Sequence, residues 1–206
     1  MLLSLLVLVA IAGGLAVLTI GGGGSKAATA KAHAANFDAA GLFTPARPAP
    51  PLKLRNYLGQ PVDLASYRGK AVLVTFLYTN CPDICPLITS NLRVVQNLMG
   101  RAMASKMQII AVSVDPRGDT PKAVAAFLAR HEMTGRMQYL IGSAKELVPV
   151  WQAWSVGSAR DAEQPQFINH TGVVYGITGS GKRLTFYAPE FRPAEIAHDV
   201  PLLAAR

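Results

Sequence analysis

Residues 71–99 read AVLVTFLYTNCPDICPLITSNLRVVQNLM, and the two ends of this stretch have different periods. AVLVTFLY, residues 71–78, is a continuous apolar and β-branched run, the pattern of a strand buried on both faces. From residue 87 the apolar side chains fall at Leu87, Ile88, Leu92, Val95, Leu98 and Met99, the spacing of one helix face. Between strand and helix lie the chain's two cysteines, Cys81 and Cys85, in a loop stiffened by Pro82 and Pro86.

Working outward, residues 52–55 and 61–64 flank Asn56-Tyr57-Leu58-Gly59-Gln60 and predict a hairpin before the buried strand. Downstream, MQIIAVSV (107–114) predicts a second buried strand. Thr120 is placed to cap a helix with Pro121 at its first position, continuing through Ala123–Ala129. Residues 139–141 predict a short strand, and Ser143 a capped helix running to about Trp154. Residues 172–178 and 183–187 predict two strands around Gly179-Ser180-Gly181-Lys182, and 193–203 a terminal helix. Strands alternating with helices imply an α/β fold, with the closing hairpin expected to supply antiparallel edge strands. This element order is similar to that of a thioredoxin-like fold.

The chain has 206 residues, half of them hydrophobic, which excludes a disordered protein. Two cysteines exclude a disulfide-dense secreted scaffold. The net charge is +8, but no run of five like charges and no aromatic-studded basic helix accompanies it, so no nucleic-acid partner is expected.

Residues 2–20 carry no charged side chain, just enough for a membrane-spanning helix, and Gly21–Gly24 break the run. Residues 1–24 are thus expected to be an N-terminal transmembrane anchor or a signal segment; the length of the run favours the anchor. Lys26 and Lys31 follow the run and nothing basic precedes it, which on charge alone would put the rest of the chain in the cytoplasm. Residues 25–50, rich in Ala and then Pro, lack the period of a packed element and are expected to be a tether, with His33 solvated in it. Residues 51–206 are then the folded domain, long enough to bury about 70% of its unfolded surface.

Cys81 and Cys85 stand four residues apart where a strand gives way to a helix. Unpaired N–H groups and the dipole at a helix start favour thiolates there. A lowered thiol pKa makes a cysteine both a better ligand and a better nucleophile. At helical spacing both sulfurs can face one soft ion such as Cu(I), with an imidazole completing a trigonal site. Zinc would call for four ligands, and there is no second cysteine pair. A redox disulfide is the other chemistry open to the pair, although its usual spacing is one residue shorter; two inert buried cysteines are the third.

These residues carry a family resemblance. TFLYTNCPDICP resembles the signature of the Sco/SenC family of copper-binding thioredoxin-like proteins, approximately F-x-Y-T-x-C-P-D-x-C-P. VSVDPRGDTP resembles that family's V-D-P-x-x-D-T-P landmark, and NHTGVVYGITGSGK its D-H-S/T strand followed by a Gly-containing turn. The resemblance covers about residues 50–206. It departs at Asn169, where the family has an acidic residue, and at Thr178-Gly179-Ser180-Gly181, where D-P-x-G is usual.

The resemblance implies copper, as Cu(I) and in some states Cu(II), held by Cys81, Cys85 and His170, with Asp83 as a second-shell group or weak extra ligand. It implies a copper chaperone for the binuclear copper centre of cytochrome c oxidase; the alternative is a thiol-disulfide oxidoreductase that reduces the cysteines of that centre through the redox pair Cys81 and Cys85. The implied partners are the copper-containing oxidase subunit, other copper chaperones or thioredoxin-like reductants, and the membrane. The implied location is membrane-anchored with the domain on the periplasmic side, against the charge signal at the N-terminus.

The remaining candidates read as structural. His131 falls at a helix end and His198 in the terminal helix. Asp115, Asp119 and Thr120 read as a turn before a capped helix rather than a carboxylate site, the methionines as filler, and Trp151 and Trp154 as packing.

Overall fold

The computed structural model describes residues 37–206; the expected anchor at 1–24 lies outside them. Among the described residues no helix is long and apolar enough to cross a membrane. Among the described residues, ten strands and four α-helices follow one another as β1 (Gly41–Pro48), β2 (Lys53–Asn56), β3 (Pro61–Asp63), β4 (Ala71–Leu77), α1 (Ile84–Ala104), β5 (Met107–Ser113), α2 (Pro121–Arg130), β6 (Gln138–Ile141), α3 (Ala144–Ala153), β7 (Ser158–Arg160), β8 (Ile168–His170), β9 (Val174–Ile177), β10 (Lys182–Tyr187) and α4 (Pro193–Ala204).

Eight strands form one mixed sheet in the order β1-β10-β9-β4-β5-β6-β2-β3. The parallel centre is β4-β5-β6, in register from Ala71 opposite Met107 to Leu77 opposite Ser113. Every residue of β4 is buried, as its unbroken apolar run requires. α1 lays Ile88, Leu92 and Val95 on the core and packs against α4. Its regular part ends where the apolar spacing ends, because Gly100 takes φ 66°, a conformation glycine adopts without the Cβ clash. Thr120 caps α2, its hydroxyl accepting from the Ala123 N–H at 3.2 Å, with Pro121 in the first turn. Ser143 begins α3, its N–H and hydroxyl both donating to Glu146 Oε2. The arrangement is the thioredoxin-like α/β fold, with the β2–β3 hairpin added beside β6.

The structure departs from the sequence reading in three places. First, the tether expected over 25–50 does not describe residues 41–48. They form β1, antiparallel to β10, with a register shift between Leu42 and Arg47 that takes in Pro45. An edge strand with a bulge is where proline's missing N–H is harmless. Phe43 packs on Phe186 and Tyr175, and the Arg183 guanidinium lies 4.4 Å from the Phe43 ring centre. Second, the closing hairpin does not supply the sheet's edge: β9 lies beside β4 and β10 is covered by β1. Third, His170 does not open the strand that follows it. It ends β8, which pairs with β7 in a separate two-stranded ribbon, Ser158 opposite His170 and Arg160 opposite Ile168.

Candidate metal centre

β4 delivers the chain to the site. Beyond Leu77, the Thr79 N–H donates to Asp119 Oδ1 at 2.8 Å, and the Cys81 N–H closes a turn on the Tyr78 carbonyl. Asp119 is a buried hub rather than a simple turn residue. Its other oxygen accepts from the hydroxyls of Ser113 (2.6 Å) and Tyr139 (3.0 Å). Burial pushes its carboxyl upward against these hydrogen bonds. The sequence carried a signal for this hub: Ser113 is a hydroxyl inside an otherwise apolar buried strand, and such a group needs a partner.

Helix α1 starts at Ile84, so Cys81 stands before the helix and Cys85 within its first turn. Their sulfurs are brought together by a backbone bond rather than by both lying on the helix: the Cys85 N–H donates to Cys81 Sγ at 3.3 Å. Cys81 Sγ thus occupies the place of a capping acceptor. Asp83, the N-cap residue, makes no side-chain capping bond and lies exposed at the mouth of the site. The Thr89 hydroxyl donates to the Cys85 carbonyl at 2.7 Å, satisfying it inside the core.

The third donor arrives from the ribbon. His170 Nε2 lies 3.5 Å from Cys85 Sγ, and Nδ1 lies 3.2 Å from the Thr171 carbonyl oxygen. A carbonyl can only accept, so Nδ1 carries a proton and Nε2 is the ring nitrogen turned toward the sulfurs. Tyr78 meets the imidazole edge-on, at 5.6 Å between ring centres. Its hydroxyl accepts the Ile168 N–H at 3.2 Å, tying β8 to the end of β4. Gly172 lets the chain after His170 pass close to α1: a Cβ there would lie 2.7 Å from Pro189 Cγ and 3.0 Å from Ile84 Cδ1. Asn169 donates to Asp161 Oδ2 at 3.0 Å and so holds the loop at the ribbon's tip.

The donor atoms of Cys81, Cys85 and His170 all lie within 4.8 Å of one another. Cys85 is fully buried, Cys81 nearly so and His170 half-buried; both cysteines are free thiols. A cavity of about 340 Å³ opens over them, with Asp83 and Asp161 on its wall. The Cys81 thiol is drawn down to about 4, first by the hydrogen bond from the Cys85 thiol, then by His170 and the N–H groups of Asp83 and Cys85, against the opposing effect of burial. Burial pushes the Cys85 thiol upward, and its bond to Cys81 adds to this. The resting pair is a thiolate at Cys81 and a thiol at Cys85. Two soft sulfurs and one imidazole nitrogen suit a three-coordinate Cu(I) ion in donor type and number.

Among the described residues, the other two histidines stand apart from the cluster. His131 caps the end of α2 against the Phe127 ring, with Nδ1 3.4 Å from the Ser90 hydroxyl. His198 lies on α4, paired with Asp199. Asp115 is held by Arg160 at 2.9 Å. Trp151 and Trp154 pack in the core, Trp151 Nε1 donating to the Ser113 carbonyl.

Residues 44–205 match the family model SCO1/SenC. The chain is 27% identical to the mitochondrial SCO1 homologue of Mus musculus over 154 residues, covering 73% of this chain and 54% of that protein. It spans about half the length of the mammalian relatives it matches. The structure of Bradyrhizobium japonicum ScoI with copper bound is similar with a TM-score of 0.65 and 28% identity, over 75% of this chain and 98% of that one. The structure of BsSco, described as a member of the Sco family of cytochrome c oxidase assembly proteins with a disulfide switch, matches with a TM-score of 0.64 and 25% identity, over 78% of this chain and 95% of that one.

Proposed function

The chain belongs to the SCO1/SenC family, and on that premise we propose that it is a copper chaperone, carrying Cu(I) on Cys81, Cys85 and His170 to the binuclear copper centre of cytochrome c oxidase. The observation that carries this reading is the cluster itself: two buried sulfurs and an imidazole nitrogen within 4.8 Å. Copper is the cargo. Cys81 is ready as a thiolate, while Cys85 gives up its proton as it becomes a ligand, so loading releases a proton. His170 offers Nε2 because Nδ1–H is engaged by the Thr171 carbonyl. Exposure orders the exchange. His170 and Cys81 face the cavity and Cys85 is sealed beneath them. An incoming pair of thiolates therefore displaces the outer donors first and Cys85 last. Asp83, at the mouth, is the group proposed to assist when copper is oxidised. The apolar run at 2–20 is the proposed anchor, holding the domain on the periplasmic side.

A second reading is favoured by the unequal thiols. In a thiol-disulfide oxidoreductase, the Cys81 thiolate attacks one sulfur of the acceptor's disulfide and expels the other as a thiolate. Cys85, once deprotonated, then attacks Cys81 Sγ and releases the second acceptor thiolate. The acceptor gains two electrons and this chain is left with a Cys81–Cys85 disulfide.

The deciding experiment is an anaerobic Cu(I) titration of the reduced full-length protein in detergent against a competing chelator, with Cys81→Ser, Cys85→Ser and His170→Ala beside it. The chaperone reading expects one tight equivalent. Outer-sphere changes at metal sites already cost about 10–100-fold, so each serine variant should lose more than that and the alanine variant a comparable amount. Wild-type affinity in either serine variant would overturn it. Weak copper binding by the parent, with dithiol exchange that persists in His170→Ala, would select the oxidoreductase.

A further inference from the structure

A second cavity, of about 680 Å³, adjoins the cysteine loop, and its wall includes Asn80, the residue before Cys81. Three guanidinium groups line it, each from a different element: Arg117 from the turn after β5, Arg130 from the last turn of α2, and Arg160 from the end of β7. One carboxylate faces them. Asp115 Oδ1 accepts from Arg160 at 2.9 Å and from the Arg117 N–H at 3.2 Å. Among the described residues, the side chains of Arg117 and Arg130 have no ion-pair partner. All three arginines are exposed.

The cavity over the cysteines and histidine has the opposite character, with Asp83 and Asp161 and neither lysine nor arginine on its wall. The β7–β8 loop borders both: its Asp161 end faces the sulfurs and its Gln166 faces the arginines, where the Gln166 carbonyl accepts from Asn80 Nδ2. A basic cleft and an acidic mouth thus lie side by side along one loop.

A small inorganic anion is held by buried, converging donors, whereas these guanidiniums are exposed around an opening many times the volume of a phosphate. Separated cations around an open cleft suit a larger ligand bearing several carboxylates, which they attract at long range and orient. We propose that this cleft is the docking groove for an acidic segment of the protein that exchanges copper with Cys81, Cys85 and His170. The copper exchange rests on the function proposed above; the charge recognition rests on the cleft. The acidic mouth repels the same segment, so the two signs together fix which part of the partner lies over the arginines and which over the sulfurs.

The test uses the full-length protein in detergent and a fluorescein-labelled hexaglutamate peptide, followed by anisotropy at low and at high ionic strength. Arg117→Gln/Arg130→Gln is compared with Lys106→Gln/Lys182→Gln, which removes the same charge from the far end of the sheet. The cleft pair should weaken peptide binding about fivefold or more while the distant pair leaves it nearly unchanged, and high salt should abolish it. Cu(I) uptake should be the same in the cleft pair as in the parent, which also shows that the variant is folded. Equal weakening by both pairs would overturn the proposal in favour of general attraction to a chain of charge +8. Inorganic phosphate that binds as tightly as the peptide and displaces it would also overturn it, as a small-anion site. Loss of peptide in the cleft pair with no Cu(I) uptake by the parent would leave the basic groove for an acidic segment standing and remove copper as what its partner exchanges.

Discussion

Cys85 Sγ and His170 Nε2 stand 3.5 Å apart across 85 residues of sequence. The sulfur is set by the first turn of α1 and the nitrogen by the last residue of a ribbon outside the main sheet. Their distance therefore depends on whatever docks the ribbon onto the end of β4, and the first two variants below act on that docking.

Tyr78→Phe removes the oxygen that accepts the Ile168 N–H. A buried N–H left without a partner costs about 1–3 kcal/mol, so the thermal midpoint should fall. Cu(I) affinity should fall with it by about tenfold, because His170 is two residues further along β8. An unchanged affinity at a lowered midpoint would mean that Tyr78 supports the fold without positioning His170.

Gly172→Ala places a methyl group against Pro189 and Ile84. Overpacking of this kind typically costs about 1–3 kcal/mol. Because the strained contact lies between the His170 segment and α1, the histidine should be pushed from the sulfurs. Denaturant unfolding and the Cu(I) titration, run on the same preparation, should both report the loss. Parent-like values in both would show that Pro189 yields freely.

The inequality of the thiols predicts a flat pH profile. With the Cys81 thiol drawn down to about 4, its alkylation by iodoacetamide in the reduced, metal-free protein should vary little between about pH 5.5 and 8. An ordinary thiol, near 8.5, would lose about tenfold in rate per unit over the same descent. Cys85, raised by burial, should stay unmodified until the chain unfolds. Mass spectrometry of each cysteine decides it; a Cys81 rate that falls tenfold per unit would refute the assignment of the thiolate.

His198 links stability to pH. Its imidazolium is raised above the ordinary histidine value, first by the hydrogen bond to buried Asp199 at 2.8 Å, and Asp38 adds to this. A group raised in the folded state contributes its full stabilisation below the unfolded value, about 6.5, and loses it as pH rises through the folded value. The thermal midpoint should therefore drop above neutrality, and the drop should be smaller in His198→Ala. Identical profiles for the two proteins would remove His198 from the explanation.

Much of this architecture was legible because local chemistry and burial agreed. The unbroken apolar run of β4, the Thr120–Pro121 start of α2 and the Ser143 start of α3 each state their own structure. Cys81 and Cys85 were legible as a pair for the same reason, while His170 emerged through resemblance to a motif. What escaped depends on distant partners. β1 has no alternation and is held by Phe43 on Tyr175 and Phe186. The three-residue strands of the ribbon are too short to show a period, and Arg160 on Asp115 and Ile168 on Tyr78 hold them. Asp119 read as a turn because its donors Ser113 and Tyr139 belong to two other strands.

The main sheet and the ribbon divide the labour of grip and release. The sulfur half of the site is built into α1 and the core, where movement would disturb the whole domain. The nitrogen half sits on a flap fastened to its surroundings by a few named bonds: Ile168 to Tyr78, Arg160 to Asp115, and Asn80 to Gln166. Were that flap to lift, one donor would leave and Cys81 would be uncovered, at the cost of exposing buried Ile168. A partner that engages the arginine side of the flap would have a handle on the latch, so that docking and unloading become one motion.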